Sequence, residues 1–212
     1  MPIQTYRIVL AGNPNVGKST LFNALTGASQ HVGNWPGKTV EKKEGRVDIQ
    51  GRECFVVDLP GTYSLTSNSE EERIAREFIL AERPDVIVML ADAAALERNL
   101  YLLAELLLLP IPVVLGVNMV DVAEREGVEF DAHVLEAALG LPVVPMVASR
   151  NQGVAEVLAA AAAVADGEQS YAPERPEIAA SHREVYEEVV GLVRDSVPEG
   201  VPPAWAALKL LE

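Results

Sequence analysis

Gly12-Asn13-Pro14-Asn15-Val16-Gly17-Lys18-Ser19 has the spacing G-x-x-x-x-G-K-[ST] of a phosphate-binding loop. Its flanks agree with that reading. The apolar run Tyr6-Arg7-Ile8-Val9-Leu10-Ala11 before it reads as a buried strand. Thr20-Leu21-Phe22-Asn23-Ala24-Leu25-Thr26 after it reads as a helix that ends at Gly27. A strand, a glycine loop and a helix start aim backbone N–H groups and the positive end of a helix at one point. In this pattern Gly12 to Ser19, with Thr20, cradle phosphates. Lys18 reaches the β- and γ-phosphates, and the Ser19 hydroxyl holds Mg²⁺.

Outward from the loop, the chain alternates strands and helices. Residues 28–40 are rich in Gly, Asn and Pro without periodicity and read as one long loop. Residues 41–49 and 52–58 read as a hairpin turning at Gln50-Gly51. Ser69 caps a predicted helix over 70–81, whose acidic start Glu70-Glu71-Glu72 reads as solvated. Strands follow at 86–91, 113–117 and 143–146, and helices at 96–109, 131–139 and 154–165. This alternation predicts an α/β fold of the P-loop NTPase kind, a six-stranded, mostly parallel sheet with helices on both faces. Residues 1–167 form that domain. Residues 168–212 read as a linker and the start of a helical domain, with Val185, Val189, Val190 and Val193 at helical spacing.

Composition narrows the function. The 212 residues carry a net charge of −14, which argues against nucleic acid as a main partner. The single cysteine, Cys54, excludes an internal disulfide and sits in an apolar strand pattern. It fits a cytosol-facing location. The start of the chain lacks the features of a signal peptide. The most apolar stretch, 106–117, is too short to span a bilayer and contains Pro110 and Pro112. The chain as given reads as a soluble fragment of something longer. His31, His133 and His182 lie far apart and read as surface residues, with no metal-ligand spacing.

Further motifs follow in order, each after a strand. Thr39, in the long loop, offers a hydroxyl to Mg²⁺ once a γ-phosphate draws the loop in. Asp58 of Asp58-Leu59-Pro60-Gly61 holds the same metal, and the Gly61 N–H meets the γ-phosphate. Asn118 and Asp121 of Asn118-Met119-Val120-Asp121 select the base. A carboxylate accepts both N1–H and N2–H of guanine, and adenine offers neither. Two hydrogen bonds to a charged group, each worth roughly 1.5–3 kcal/mol, disfavour adenine on the order of a hundredfold or more. Ala148-Ser149 completes the set.

That order resembles the five nucleotide motifs of small GTP-binding proteins. In detail the chain resembles one family, the cytosolic GTPase domain of the bacterial ferrous-iron transporter FeoB. The resemblance rests on Gly12-Asn13-Pro14-Asn15, Val32-Gly33-Asn34-Trp35-Pro36-Gly37, Asp58-Leu59-Pro60-Gly61-Thr62-Tyr63-Ser64-Leu65, Glu97-Arg98-Asn99-Leu100, Asn118-Met119-Val120-Asp121 and the closing Trp205 to Glu212. It implies GTP and GDP as ligands and a catalytic set of Lys18, Asn15, Thr39 and Gly61. It also implies K⁺ stimulation, with the ion ligated by Asn15 and by the backbone carbonyls of Gly33 and Trp35. For the Trp35 ring, two readings stay open: packing on the protein surface and shielding the nucleotide. The resemblance further implies a membrane region of the same polypeptide, carrying Fe²⁺, beyond this chain. That places the chain at the cytoplasmic face of the inner membrane, with a helical domain that influences nucleotide release. A homo-oligomer is left open.

Two positions depart from the general GTPase pattern. Met119 stands where many members have Lys, which predicts modest affinity and fast release. Thr62 stands where Ras-like proteins have Gln, which predicts slow intrinsic hydrolysis. Two other readings remain beside the transporter one: a ribosome- or tRNA-associated GTPase, and a nucleotide-sensing module without meaningful turnover.

Overall fold

The computed structural model describes residues 5–49, 51–66, 68–198 and 200–211. Its centre is a sheet of seven strands in the order β2-β3-β4-β1-β5-β6-β7. The strands are β1 (Tyr6–Gly12), β2 (Gln30–Asn34), β3 (Glu41–Ile49), β4 (Arg52–Asp58), β5 (Val86–Asp92), β6 (Val113–Asn118) and β7 (Val143–Pro145). β4, β1, β5, β6 and β7 run parallel, whereas β2 and β3 extend the sheet antiparallel. The central strands β5 and β6 are buried on both faces and are correspondingly apolar over nearly their whole length.

The expected strand number was six. The seventh is β2, which lies inside the stretch read as loop. Its sequence Gln-His-Val-Gly-Asn carries no hydrophobic alternation because it is an exposed edge strand, held only by its backbone ladder to β3. The hairpin of β3 and β4 forms as expected, although Gln50 lies outside the described residues.

The helices are α1 (Lys18–Thr26), α2 (Glu70–Glu82), α3 (Leu96–Leu107), α4 (Val120–Arg125), α5 (Ala132–Leu139), α6 (Val154–Ala165), α7 (Ala180–Val193) and α8 (Pro203–Leu211). Helices α2 and α3 cover one face, where Ile74, Ile79, Leu102, Leu103 and Leu106 pack on Val9, Ile87 and Leu115. Helices α1 and α6 cover the other, with Leu21, Phe22, Val157 and Leu158 on Ile8, Leu10 and Val88. Each fully buried side chain of this size contributes about 1.5–3 kcal/mol relative to exposure. Trp205 of α8 is buried in the first of these clusters, so α8 docks on the main core.

Local signals set most helix ends. Ser69 caps α2 by accepting from Glu72 N, and Asp131 caps α5 by accepting from His133 N and Val134 N. Gly27 and Gly140 end α1 and α5 at positive φ. Two readings need correction. The fourth motif continues into a helix, α4, which no periodicity announces over six residues. Glu72 is buried rather than solvated: Ser64 Oγ donates to it at 3.2 Å and Asn68 N at 2.9 Å. The third-position Glu thus reaches back as in a capping box, but to the N–H of the residue before the Ser69 cap. Among the described residues, no helix is long and apolar enough to cross a membrane. His31, His133 and His182 are all exposed, and Cys54 is buried.

Candidate nucleotide site

Strand order creates the site. β1 lies between β4 and β5, so the chain leaves β1 toward one side and later toward the other. A crevice opens at the carboxyl ends of strands where such a reversal occurs. The loops after β1, β4, β6 and β7 share that edge of the parallel sheet. They bring residues 12–19, 58–62, 118–121 and 148–150 to one side of the molecule.

The glycines are sterically required. Gly12 has φ 147°, and a Cβ there would lie 2.5 Å from the Leu90 carbonyl oxygen. Gly17 has φ 93°, and a Cβ would lie 2.3 Å from Asn118 Nδ2. Asn15 adopts left-handed φ 67°, which Asn tolerates better than most residues, and it is exposed. The N-terminus of α1 has no side-chain cap, leaving its first N–H groups for a ligand.

Charge is concentrated beside this loop. Lys18 is 8% exposed, and its Nζ donates to the carbonyls of Gly12 and Asn13 at 3.1 and 3.3 Å. Burial pushes the Lys18 pKa down, partly offset by the Asp58 carboxylate. Asp58, at the end of β4, is 7% exposed, and its Oδ2 accepts from Ser19 Oγ at 3.1 Å. Its Oδ1 is buried without a partner among the described atoms. Burial pushes the Asp58 pKa up against the opposing pull of Lys18, Ser19 and Lys43. A hydroxyl beside an unsatisfied carboxylate oxygen is a hard oxygen donor set, the chemistry that Mg²⁺ takes.

These side chains line a cavity of about 370 Å³ that also includes Val40, Glu41, Lys43, Gly61 and Glu71. Glu41, Lys43 and Glu71 were not among the predicted site residues. Lys43 stands opposite Asp58 in the β3–β4 ladder and Glu41 opposite Asn34 in the β2–β3 ladder, a register that no sequence pattern announces. Gly61 packs tightly, since a Cβ would stand 3.0 Å from Pro14 Cα and 3.2 Å from Lys18 Nζ. The next residue, Thr62, donates its N–H to the Gly12 carbonyl at 3.2 Å.

At the other end, Asn118 is 3% exposed. Its Nδ2 donates to Val16 O and its Oδ1 accepts from Ala148 N, both at 2.9 Å. One amide thereby ties the phosphate loop to the fifth motif. Met119 turns the chain at φ 62° into α4. Asp121 lies on α4 with its carboxylate partly open, 3.4 Å from Arg125 Nη2 and 3.3 Å from Arg150 Nη2. Arg150, which follows Ala148 and the exposed Ser149, is a further residue that the motif reading missed. Asn13 is buried, donates to Arg98 O at 3.4 Å, and keeps Oδ1 without a partner among the described atoms.

Some predicted residues are not gathered in. Thr39 is exposed in the turn after β2 and does not line the cavity, whereas its neighbours Val40 and Glu41 do. The same holds for Asn15, Gly33 and Trp35. Gly33 is paired with Lys42 in the β2–β3 ladder, and the Trp35 carbonyl accepts from Lys38 N at 2.9 Å. Of the two readings of Trp35, the structure agrees with packing. The indole is buried edge-on against Phe78 of α2 at 5.2 Å, with Lys42 Nζ 5.4 Å from its centroid. A large aromatic next to an apolar helix face gains more from that contact than from water.

The chain was compared with known proteins. A family model described as Ferrous iron transport protein B matches residues 6–161. Among curated relatives, the Fe(2+) transporter FeoB of Shigella flexneri is 49% identical over 151 residues, covering 69% of this chain and 20% of that protein. FeoB of Salmonella typhimurium is 50% identical over the same length and coverage. The chain therefore spans about a fifth of the relatives it matches. Among solved structures, the cytosolic domain of the T. maritima FeoB iron transporter in its GMPPNP form has a TM-score of 0.88. It is 37% identical and covers 97% of this chain and 81% of its own. The FeoB G-domain from Methanococcus jannaschii has a TM-score of 0.68 at 45% identity, covering 77% of this chain and 99% of its own.

Proposed function

This chain belongs to the ferrous iron transport protein B family, and on that premise we propose that it is a guanine-nucleotide switch that hydrolyses GTP to GDP and phosphate. It serves as the regulatory part of a bacterial ferrous-iron membrane transporter, at the cytoplasmic face of the inner membrane. Fe²⁺ is the cargo of a membrane portion outside this chain. The observation that carries the reading is the buried Lys18 and Asp58, with the exposed Ser19 hydroxyl on Asp58, beside a glycine loop at a bare helix N-terminus. It supplies opposite charges, with one oxygen unsatisfied, where phosphates and a metal relieve both.

Residues 1–167 carry this site, and residues 168–212 begin a helical domain. The N–H groups of residues 12–20 and the Lys18 ammonium hold the phosphates. Ser19 and Asp58 hold Mg²⁺, joined by the Thr39 hydroxyl when residues 28–40 close. When bound, the metal neutralises charge on the phosphate oxygens. The Gly61 N–H orients the γ-phosphate. Asn15, with the carbonyls of Gly33 and Trp35 after closure, binds K⁺, which supplies positive charge beside the β- and γ-phosphates where an arginine finger would place it. Asp121 accepts the guanine N1–H and N2–H, with Asn118, Met119, Ala148 and Ser149 around the base. Support for guanine over adenine comes from the Asp121 carboxylate, which remains partly open to the cleft.

The test is phosphate release from GTP with Mg²⁺ in KCl and in NaCl at equal ionic strength, with ATP as competitor. Faster turnover in KCl, lost in Asn15→Ala, is expected. Equal slow rates in both salts would remove the K⁺ role while leaving the nucleotide site. Competition by ATP as effective as by GTP would overturn the guanine assignment.

A further inference from the structure

Helix α3 begins with Leu96-Glu97-Arg98-Asn99, and the nucleotide reading leaves Arg98 without a role. Arg98 lies between two parts of the site. Its guanidinium sits over the Tyr63 ring, with Cζ 4.3 Å from the ring centroid. Its carbonyl accepts from Asn13 Nδ2, in the phosphate loop, at 3.4 Å. Thr62, next to Tyr63, donates its N–H to the carbonyl of Gly12, next to Asn13. The phosphate loop, the segment after Gly61 and the start of α3 are thereby joined in a closed circuit of three contacts. Lys18 Nζ donates to the carbonyls of the same two loop residues, Gly12 and Asn13.

Stability does not account for these residues. Asn13 is 2% exposed, and its Oδ1 has no partner among the described atoms. A buried amide with an unsatisfied oxygen is unfavourable beside an apolar side chain of the same shape. Arg98 and Tyr63 are exposed, and a cation–π contact open to water contributes little. What the circuit secures is position. The Gly61 backbone already stands against Pro14 and Lys18 Nζ, and Tyr63 is only two residues further along the chain.

We propose that Arg98 is a positioning residue for hydrolysis: stacked on Tyr63, with its carbonyl on Asn13, it keeps the Gly61 N–H in register with the phosphate loop. The inference rests on the guanine-nucleotide reading above. Donors that stabilise developing charge act because they are placed in advance, so a loosened Tyr63 slows the chemical step. GDP has no γ-phosphate to meet the Gly61 N–H, so its affinity does not depend on the stack. A contact that merely stabilised the fold would shift unfolding and leave the turnover of folded protein unchanged.

The experiment measures single-turnover phosphate release from GTP with Mg²⁺ in KCl, beside GDP affinity and urea unfolding, for the 212-residue chain and its variants. In Arg98→Gln, which removes the charge, the rate should fall about fivefold or more, since a misplacement of about 1 Å costs on the order of a hundredfold. GDP affinity should stay within about twofold. Tyr63→Leu should lower the rate equally, whereas Tyr63→Phe, which keeps the ring, should preserve it. The double variant Arg98→Gln with Tyr63→Leu should be no slower than either single one, because both remove the same interaction. Should Arg98→Gln fail to fold, the Tyr63→Leu and Tyr63→Phe pair carries the test. Rates within about twofold of the unaltered chain in the folded variants overturn the proposal, as does a loss in Tyr63→Phe matching that in Tyr63→Leu. A fall in rate matched by an equal fall in GDP affinity also overturns it. Failure of the unaltered chain to bind or hydrolyse GTP would instead overturn the guanine reading, and this inference with it.

Discussion

At the phosphate end of the cleft the buried groups are ions. Lys18 and Asp58 are almost wholly enclosed, and one Asp58 oxygen lacks a partner among the described atoms. At the base end the buried group is a neutral amide, Asn118, with both polar atoms bonded, while the ion, Asp121, is 21% exposed between two exposed arginines. Enclosed, incompletely paired charge is unfavourable and is relieved by a ligand of matching charge. A satisfied neutral amide carries no such debt and stabilises the fold with or without ligand. One end therefore holds its free energy in reserve for binding and chemistry, and the other spends it on keeping the loops in register.

The largest test of that contrast is Lys18→Met. Phosphate release should fall roughly 10²–10³-fold, the usual loss when one preorganised charge-stabilising donor is removed. Circular dichroism should report an intact fold. A loss under about tenfold would mean that the phosphate end is not where hydrolysis is driven.

Asn118→Ala should act on stability before it acts on nucleotide. It leaves the Val16 carbonyl and the Ala148 N–H unpaired, at about 1–3 kcal/mol each. Urea unfolding of the nucleotide-free chain should show a loss of about 2–6 kcal/mol. Asp121→Asn should leave that stability nearly unchanged and weaken the preference for GTP. If the two variants behave alike, the assignment of opposite roles at the base end is wrong.

A smaller effect is expected from pH. The folded state raises the Asp58 pKa, so it binds that proton more tightly than the unfolded chain does. As pH rises from the ordinary carboxylate range through the raised value, the nucleotide-free chain should lose stability, and Asp58→Asn should remove that slope. Over the same window Mg²⁺-dependent GTP affinity should climb, because the metal needs the ionised carboxylate. For Lys18 the shift is downward, so stability should rise as pH passes from its lowered value toward the ordinary lysine range. Thermal unfolding across pH, with and without Mg²⁺, reads both.

The smallest effect belongs to Arg150→Ala. Its ion pair with Asp121 is exposed, so stability should change by about 0–1 kcal/mol. A larger loss would show that the base end, too, depends on charge.

The glycine loop was legible because its chemistry is local. Gly12, Gly17, Lys18 and Ser19 are needed at fixed spacing, and a strand before and a helix after complete the geometry. The parallel strands were equally legible, since burial on both faces demands continuous apolar runs such as Val86 to Ala91. Strand β2 was not, because an exposed edge strand is held by backbone bonds that ask nothing of its side chains. Trp35 was left between packing and shielding the nucleotide because the sequence around it is loop-like. Its actual partner, Phe78, is more than forty residues away and belongs to a helix whose position follows from the sheet.

By itself, then, the sequence determined the α/β class, the order of the nucleotide motifs and the residue types proposed to meet phosphate, metal and base. Short-range spacing and burial dictate all of these. Only the tertiary structure decided that Asn118 clamps two loops, that Glu72 is buried, that Arg150 reaches Asp121, and that Lys209 reaches Glu105. Each of these depends on where separate elements come to rest against one another. No local pattern encodes that placement, because it emerges from the packing of helices on both faces of the sheet.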